Sequence, residues 1–130
     1  MKEAYCSYEI SKILKEKGFD EECTHYYSYE DDELIEYTNG VYSRNSKDCH
    51  RCASPTQQMA CAWLREKGFE IGVFYLFKAI NSDVTVFDGY IPNVTQVIDG
   101  VYKDSWDMDV VKDYNDAVET ALKYVLENLI

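Results

Sequence analysis

No stretch of this 130-residue chain approaches the roughly 20 consecutive apolar residues that a membrane-spanning helix requires, so no such helix is expected. Its first residues, MKEAYCSYEI, lack the apolar centre of a secretory signal and lead straight into a predicted helix, which makes the cytoplasm the expected location. Basic residues are in short supply: 13 Lys and Arg stand against 24 Asp and Glu, a formal charge of -11. That balance works against attraction to a nucleic acid backbone or an anionic membrane, and neither is an expected partner. It leaves open a protein partner with a basic surface, and also an acidic chain that imitates nucleic acid. A glycine-rich phosphate loop and a GxSxG nucleophile turn are both missing. Only two histidines are present, His25 and His50, and neither has an identifiable serine or cysteine triad around it, so no catalytic set is assigned.

What the chain does contain argues for folding. A hydrophobic share of 46% is too high for a chain kept disordered by its charge, and 130 residues suit one domain, 1–130. The most complete local signal is SPTQQMACAWLREKGF at 54–69. Ser54 can cap the first free backbone N–H groups, Pro55 suits the first helical position, and Gln57 completes a capping box. Met59, Ala60, Trp63 and Leu64 recur at helical spacing, and Arg65, Lys67, Gly68 and Phe69 form a basic last turn with a glycine stop. These features predict a helix over about 55–67. A first helix is expected after Ser7, with Ile10, Ile13 and Leu14 on its apolar face and Gly18 and Phe19 ending it. The endings LKEKGFD at 14–20 and LREKGFE at 64–70 match, which reads best as a shared way of stopping a helix. A third helix is expected after Asp113, carrying Ala117, Val118, Ala121, Leu122, Val125 and Leu129 at helical spacing.

Between the helices the period changes. Cys23 to Tyr29 alternates as a strand, the acidic run 30–33 reads as a turn, and Leu34 to Thr38 returns as the second arm of a hairpin. Residues 43–53 lack apolar periodicity and read as a loop. EIGVFYLFKAI at 70–80 is apolar on both faces and reads as a strand near the sheet centre, with 84–87 returning antiparallel. Gly89 and Pro92 interrupt the pattern before a further strand at 94–98, and 99–113 reads as a polar interval anchored by Trp106 and Met108. The resulting expectation is an α+β fold, a two-layer sandwich with a mainly antiparallel sheet packed by about three helices.

Cys49-His50-Arg51-Cys52 is the sharpest chemical motif. Two thiols at this spacing can form a redox pair or hold a soft metal, and Cys23 with His25 on one strand face completes a zinc set of Cys23, His25, Cys49 and Cys52. Against this, the pair precedes the helix cap instead of entering the helix, and a second compact knuckle is missing. No cofactor is therefore expected, with zinc as the alternative. Carboxylates are abundant enough that Asp107 with Asp109, or Asp31 with Glu33, need no catalytic reading. Tyr27, Tyr29 and Tyr37, together with Trp106, Asp107 and Asp109, supply aromatic and acidic side chains suited to protein contact, although sheet packing and hairpin stability are the leading reading of the tyrosines.

YEISKILKEKGFDEEC at 8–23, SPTQQMACAWLREKGFEI at 54–71 and YNDAVETALKYVLENLI at 114–130 together resemble a family of small uncharacterised proteins carried by gut Bacteroides-type bacteria and their prophages. The resemblance spans most of the chain, supplies no catalytic set, and implies a phage or mobile-element origin, hence a host-interaction role. The CHRC segment lies outside the shared pattern. The leading expectation is a small acidic interaction or accessory protein, more a binder than an enzyme, with a protein partner and with homodimerisation open. A metal- or thiol-dependent enzyme centred on CHRC is one alternative. A nucleic acid mimic, its acidic runs at 30–33 and 104–113 occupying a basic protein site, is the other.

Overall fold

Each of three helices begins at a side-chain cap. The computed structural model describes residues 3–29, 33–37, 45 and 51–130, and helix α1 spans Tyr8–Glu16, α2 Gln57–Glu66 and α3 Tyr114–Asn128. Ser7 Oγ accepts from Ile10 N at 3.2 Å, and Asp113 Oδ1 accepts from Asp116 N at 3.0 Å, as the sequence pattern predicts. The cap of α2 differs from the expectation: Thr56 Oγ1 accepts from Met59 N at 3.1 Å, in the place assigned to Ser54. The reason is tertiary. Ser54 ends a short strand, β3 (Arg51–Ser54), and its buried hydroxyl donates to the Cys6 carbonyl at 3.1 Å. We expect Thr56→Ala to lower unfolding stability by about 0.5–2 kcal/mol and to speed hydrogen exchange in the first turn of α2; a neutral result in urea unfolding would contradict this cap.

The paired endings behave alike up to a point. Gly18 and Gly68 both adopt positive φ, 94° and 95°, and Phe19 and Phe69 behind them are buried. Space around Gly18 is open, whereas a Cβ on Gly68 would stand 2.9 Å from the Val97 carbonyl oxygen, and Val97 N donates to Gly68 O at 2.8 Å. The second stop is thus also the point where α2 is fastened to the sheet.

The architecture is two-layer α+β, with two three-stranded antiparallel sheets flanked by the three helices. The first sheet joins β1 (His25–Ser28) to β2 (Leu34–Glu36) on one side and β3 on the other, in the order β2-β1-β3. The second joins β4 (Phe69–Ala79), β5 (Thr85–Ile98) and β6 (Val101–Asp107) in that order. Two expectations are corrected here. Residues 51–53, expected as loop, form β3 together with Ser54, pairing Tyr27 with Cys52 and His25 with Ser54; the rest of 43–53, apart from Asn45, lies outside the described residues. Asn45 ties this region to the helices, donating to Phe19 O and accepting from Ala53 N, each at 2.8 Å. Within 99–113, expected as a polar interval, Val101–Asp107 pairs with β5, and the half-buried Trp106, opposite Val94, anchors this otherwise exposed strand to the core.

β5 also runs unbroken through Gly89 and Pro92. Gly89 lies beside a register shift between Leu76 and Phe77, where its φ of 142° and missing side chain let residues 110–111 approach. Pro92 falls one position past the last β5–β6 pair, Asn93 with Asp107, so its missing N–H leaves no gap in that ladder. The core lies between the helices and the second sheet. Leu14, Leu64, Leu122, Val125 and Leu126 are fully buried there, and Phe19 meets Trp63 edge-on at 5.5 Å.

Candidate functional site

The second sheet is longer than the layer that covers it. β4 alternates Phe69, Ile71, Val73, Tyr75 and Phe77 onto the helix-facing side and Glu70, Gly72, Phe74 and Leu76 onto the other. Near the α2–β4 turn the first set is covered by α2 and α3, but the helices stop short of the far end. Past Asn93, the β5 segment 85–92 has β4 as its only strand partner among the described residues, save an isolated bridge between Tyr90 and Val111. A two-stranded ribbon therefore projects from the body. Its apolar side chains face solvent on both sides: Phe74 is 53% exposed, Tyr75 61%, Phe77 59%, Ile80 63% and Phe87 45%.

On the helix-facing side the rings form a connected group. Tyr75 lies 6.3 Å from Phe77, 6.1 Å from Phe87 and 5.4 Å from Tyr90, centroid to centroid, and Tyr90 meets Tyr114, the first residue of α3, at 5.5 Å. The ribbon is held at its base by the two backbone bonds between Tyr90 and Val111, at 2.7 and 2.9 Å, and by Lys112, which donates to the Asp88 carbonyl and pairs with its carboxylate at 3.2 Å. The rings are thus preordered.

An open cavity of about 710 Å³ lies at the root of this aromatic face, between α2, the start of α3 and β4. Ile71, Val73 and Val118 give it an apolar floor, with Gln57, Cys61 and Tyr114 among its walls. Arg65 stands at its edge, bound to Glu70 at 2.7 Å. Burial pushes the Cys61 thiol up to about 11, with Arg65 pulling the other way, so it is a weak nucleophile at neutral pH. Gln57 is held in place by its amide, which donates to Asn115 O at 3.0 Å.

The candidate zinc set is only partly described. Cys49 and His50 lie outside the described residues, and among those that are described no three His, Cys, Asp or Glu side chains gather to hold a metal ion. Cys23 is buried and burial pushes its thiol up to about 12; Cys52 is buried in β3, where burial pushes it up to about 11 against the pull of Lys15 and Lys12. His25 makes a 2.8 Å hydrogen bond through Nδ1 with Thr24 Oγ1 and packs its ring 4.0 Å from Tyr5.

The sequence-predicted contact residues are divided between the two sheets. Tyr27 donates to the Cys6 carbonyl at 3.0 Å, Tyr37 packs on Tyr26 at 4.5 Å, and Tyr29 sits on the surface under Lys12 and Lys15, whose ammonium groups lie 5.5 and 5.0 Å from its ring. Trp106 is half-buried against Tyr124, Asp107 accepts from the buried Asn93 amide at 2.7 Å, and Asp109 is exposed just past β6. Within the acidic run at 104–113, Asp113 caps α3 and Asp104 accepts from the Ser105 N–H at 2.8 Å, so much of that charge organises local backbone. Residues 30–32 of the other run lie outside the described residues.

The exposed ribbon is a candidate that the sequence signals without placing. A strand apolar on both faces reads as central, but β4 is an edge strand of its sheet, and Phe74 on its second face stays exposed. Models of protein families, curated proteins and solved structures were each compared with the chain, and none matches it.

Proposed function

We propose that this chain is a small acidic interaction or accessory protein that contacts another polypeptide through the projecting β4–β5 ribbon. One observation carries the reading: the ribbon exposes Phe74, Tyr75, Phe77, Ile80 and Phe87 together, on both of its faces. Contiguous apolar surface of this kind marks a binding surface, and an uncovered two-stranded ribbon is marginal in water on its own. Aromatic side chains also dominate the energetics of protein contacts, because they bury a large area for little lost rotamer freedom. Among the described residues no helix is long and apolar enough to cross a membrane, and the ribbon carries no basic cluster for a lipid or nucleic acid phosphate. A polypeptide is the occupant that fits. The resemblance to prophage-borne proteins is in keeping with a host or phage protein in that role.

A photoreactive phenylalanine analogue at Phe77, introduced in the producing cell, tests the proposal. The expected result is a covalent adduct with a defined polypeptide, formed again when both purified chains are mixed and lost with Tyr75→Lys. Absence of any polypeptide adduct would overturn the assignment.

A further inference from the structure

We infer that the β4 edge seats a second copy of this chain, the two β4 strands pairing antiparallel about a two-fold axis at Phe74. This rests on the reading of the ribbon as a polypeptide contact and names its partner. β4 is the terminal strand of the sheet β4-β5-β6, so one side of its 11-residue backbone has no strand partner among the described residues. Exposed edges are normally blunted by proline or by charge within the strand. β4 has no proline, and Ile71 to Phe77 carries no charge.

The charges that β4 does carry identify the occupant. The chain bears a net charge of -11, so two copies repel over most of their surface, and an uncharged edge is where they can approach. At the ends of that uncharged stretch stand Glu70 and Lys78, each four residues from Phe74. Antiparallel pairing centred on Phe74 sets Glu70 of each copy opposite Lys78 of the other, twice by symmetry. The same register places Tyr75 beside Val73 and Phe77 beside Ile71 of the second copy. Ile71 and Val73 are the apolar floor of the cavity under α2, and all four residues lie on the helix-facing side of β4. The exposed rings of one copy therefore lie alongside the half-buried Ile71 and Val73 of the other, at the mouth of its open cavity. Such a contact is isologous and closes at two copies. A basic partner protein would find no acidic counterpart along the middle of this edge.

Sedimentation equilibrium at tens of micromolar is the test. The expected mass of the wild-type chain is twice 15.1 kDa. Lys78→Glu places like charges opposite each other at both ends of the pairing, and Glu70→Lys does the same with the opposite sign. Each substitution is expected to weaken dimerisation by roughly tenfold or more. The double variant Glu70→Lys/Lys78→Glu, and an equimolar mixture of the two single variants, are each expected to restore it. Both residues are exposed, and the Arg65–Glu70 pair that Glu70→Lys breaks is a surface pair of small worth, so the fold survives, as circular dichroism would verify. A mass of 15.1 kDa at all concentrations, or single variants that dimerise as well as wild type, or a double variant that fails to recover, would overturn the pairing. The photoreactive group at Phe77 separates this from the broader reading: a monomer whose adduct contains a different protein refutes self-pairing and leaves the contact surface standing.

Discussion

Truncation of Leu122 to alanine is expected to lower stability by about 3 kcal/mol, within the usual 2–5 kcal/mol for a buried leucine, while Phe77→Ala should change it by no more than about 0.5 kcal/mol. The contrast follows from where each apolar side chain goes. Leu122 lies on the inward face of α3 with no exposed surface, among Leu64, Val94, Val118 and Leu126, and its loss leaves a cavity that helices fixed at their caps are poorly able to close. Phe77 is 59% exposed and its nearest ring, Tyr75, is itself exposed, so shortening it removes little that water does not replace. Urea unfolding with a shared m-value, on chain dilute enough to be monomeric, measures both. Comparable losses at the two positions would mean that the ribbon packs on its own fold, and would remove the main support for a contact role.

The same distinction explains how far the sequence could be read. Ser7, Asp113, Gly18 and Gly68 act through their own backbone neighbours, so their local pattern sufficed to place the ends of α1 and α3 and the stops behind α1 and α2. Ser54 and Thr56 could not be separated in that way. Both can cap, and the choice is made by β1 and the Cys6 carbonyl, which draw Ser54 into β3 from distant parts of the chain. β3 itself is four residues long and holds two of its members, Cys52 and Ala53, without strong strand preference; only its pairing with β1 makes it a strand. For β5, Gly89 and Pro92 are breakers by local rule, yet one serves a bulge and the other falls where β6 has ended.

The candidate site shows the same limit in sharper form. EIGVFYLFKAI announces two apolar faces, but local pattern does not say whether a fold covers both. The length of β6 and the position of α3 decide that, and both end before Phe77 does. Tyr27 and Tyr37, which by type suit sheet packing first and contact second, are engaged with the Cys6 carbonyl and with Tyr26. That they pack is legible in the strand pattern; which groups they meet is set by tertiary pairing.

Glu119→Ala is expected to cost about 1–3 kcal/mol, the penalty for leaving a part-buried donor without its acceptor. Glu119 projects from α3 to the start of α1, where Oε1 accepts from Ser7 N at 2.7 Å and Oε2 from Ser7 Oγ at 3.2 Å. It thus supplies negative charge to the N-terminus of α1 from another helix, while Ser7 Oγ caps Ile10 N. Burial holds its carboxyl above the ordinary value, outweighing the Ser7 and Gln57 hydrogen bonds that pull it down. The consequence has a definite sign. Between the ordinary glutamate value of about 4.3 and the raised folded value, the native chain binds more protons than the unfolded one. Stability from this group is therefore complete below that ordinary value and is lost as pH rises through the folded one. Glu119→Gln keeps the shape of the neutral form without titrating, so its stability relative to wild type should improve as pH is raised from 4 toward 7. Unfolding curves of the two chains that shift in parallel over that range would show that burial does not dominate at Glu119, and that its hydrogen bonds to Ser7 hold the carboxylate charged instead.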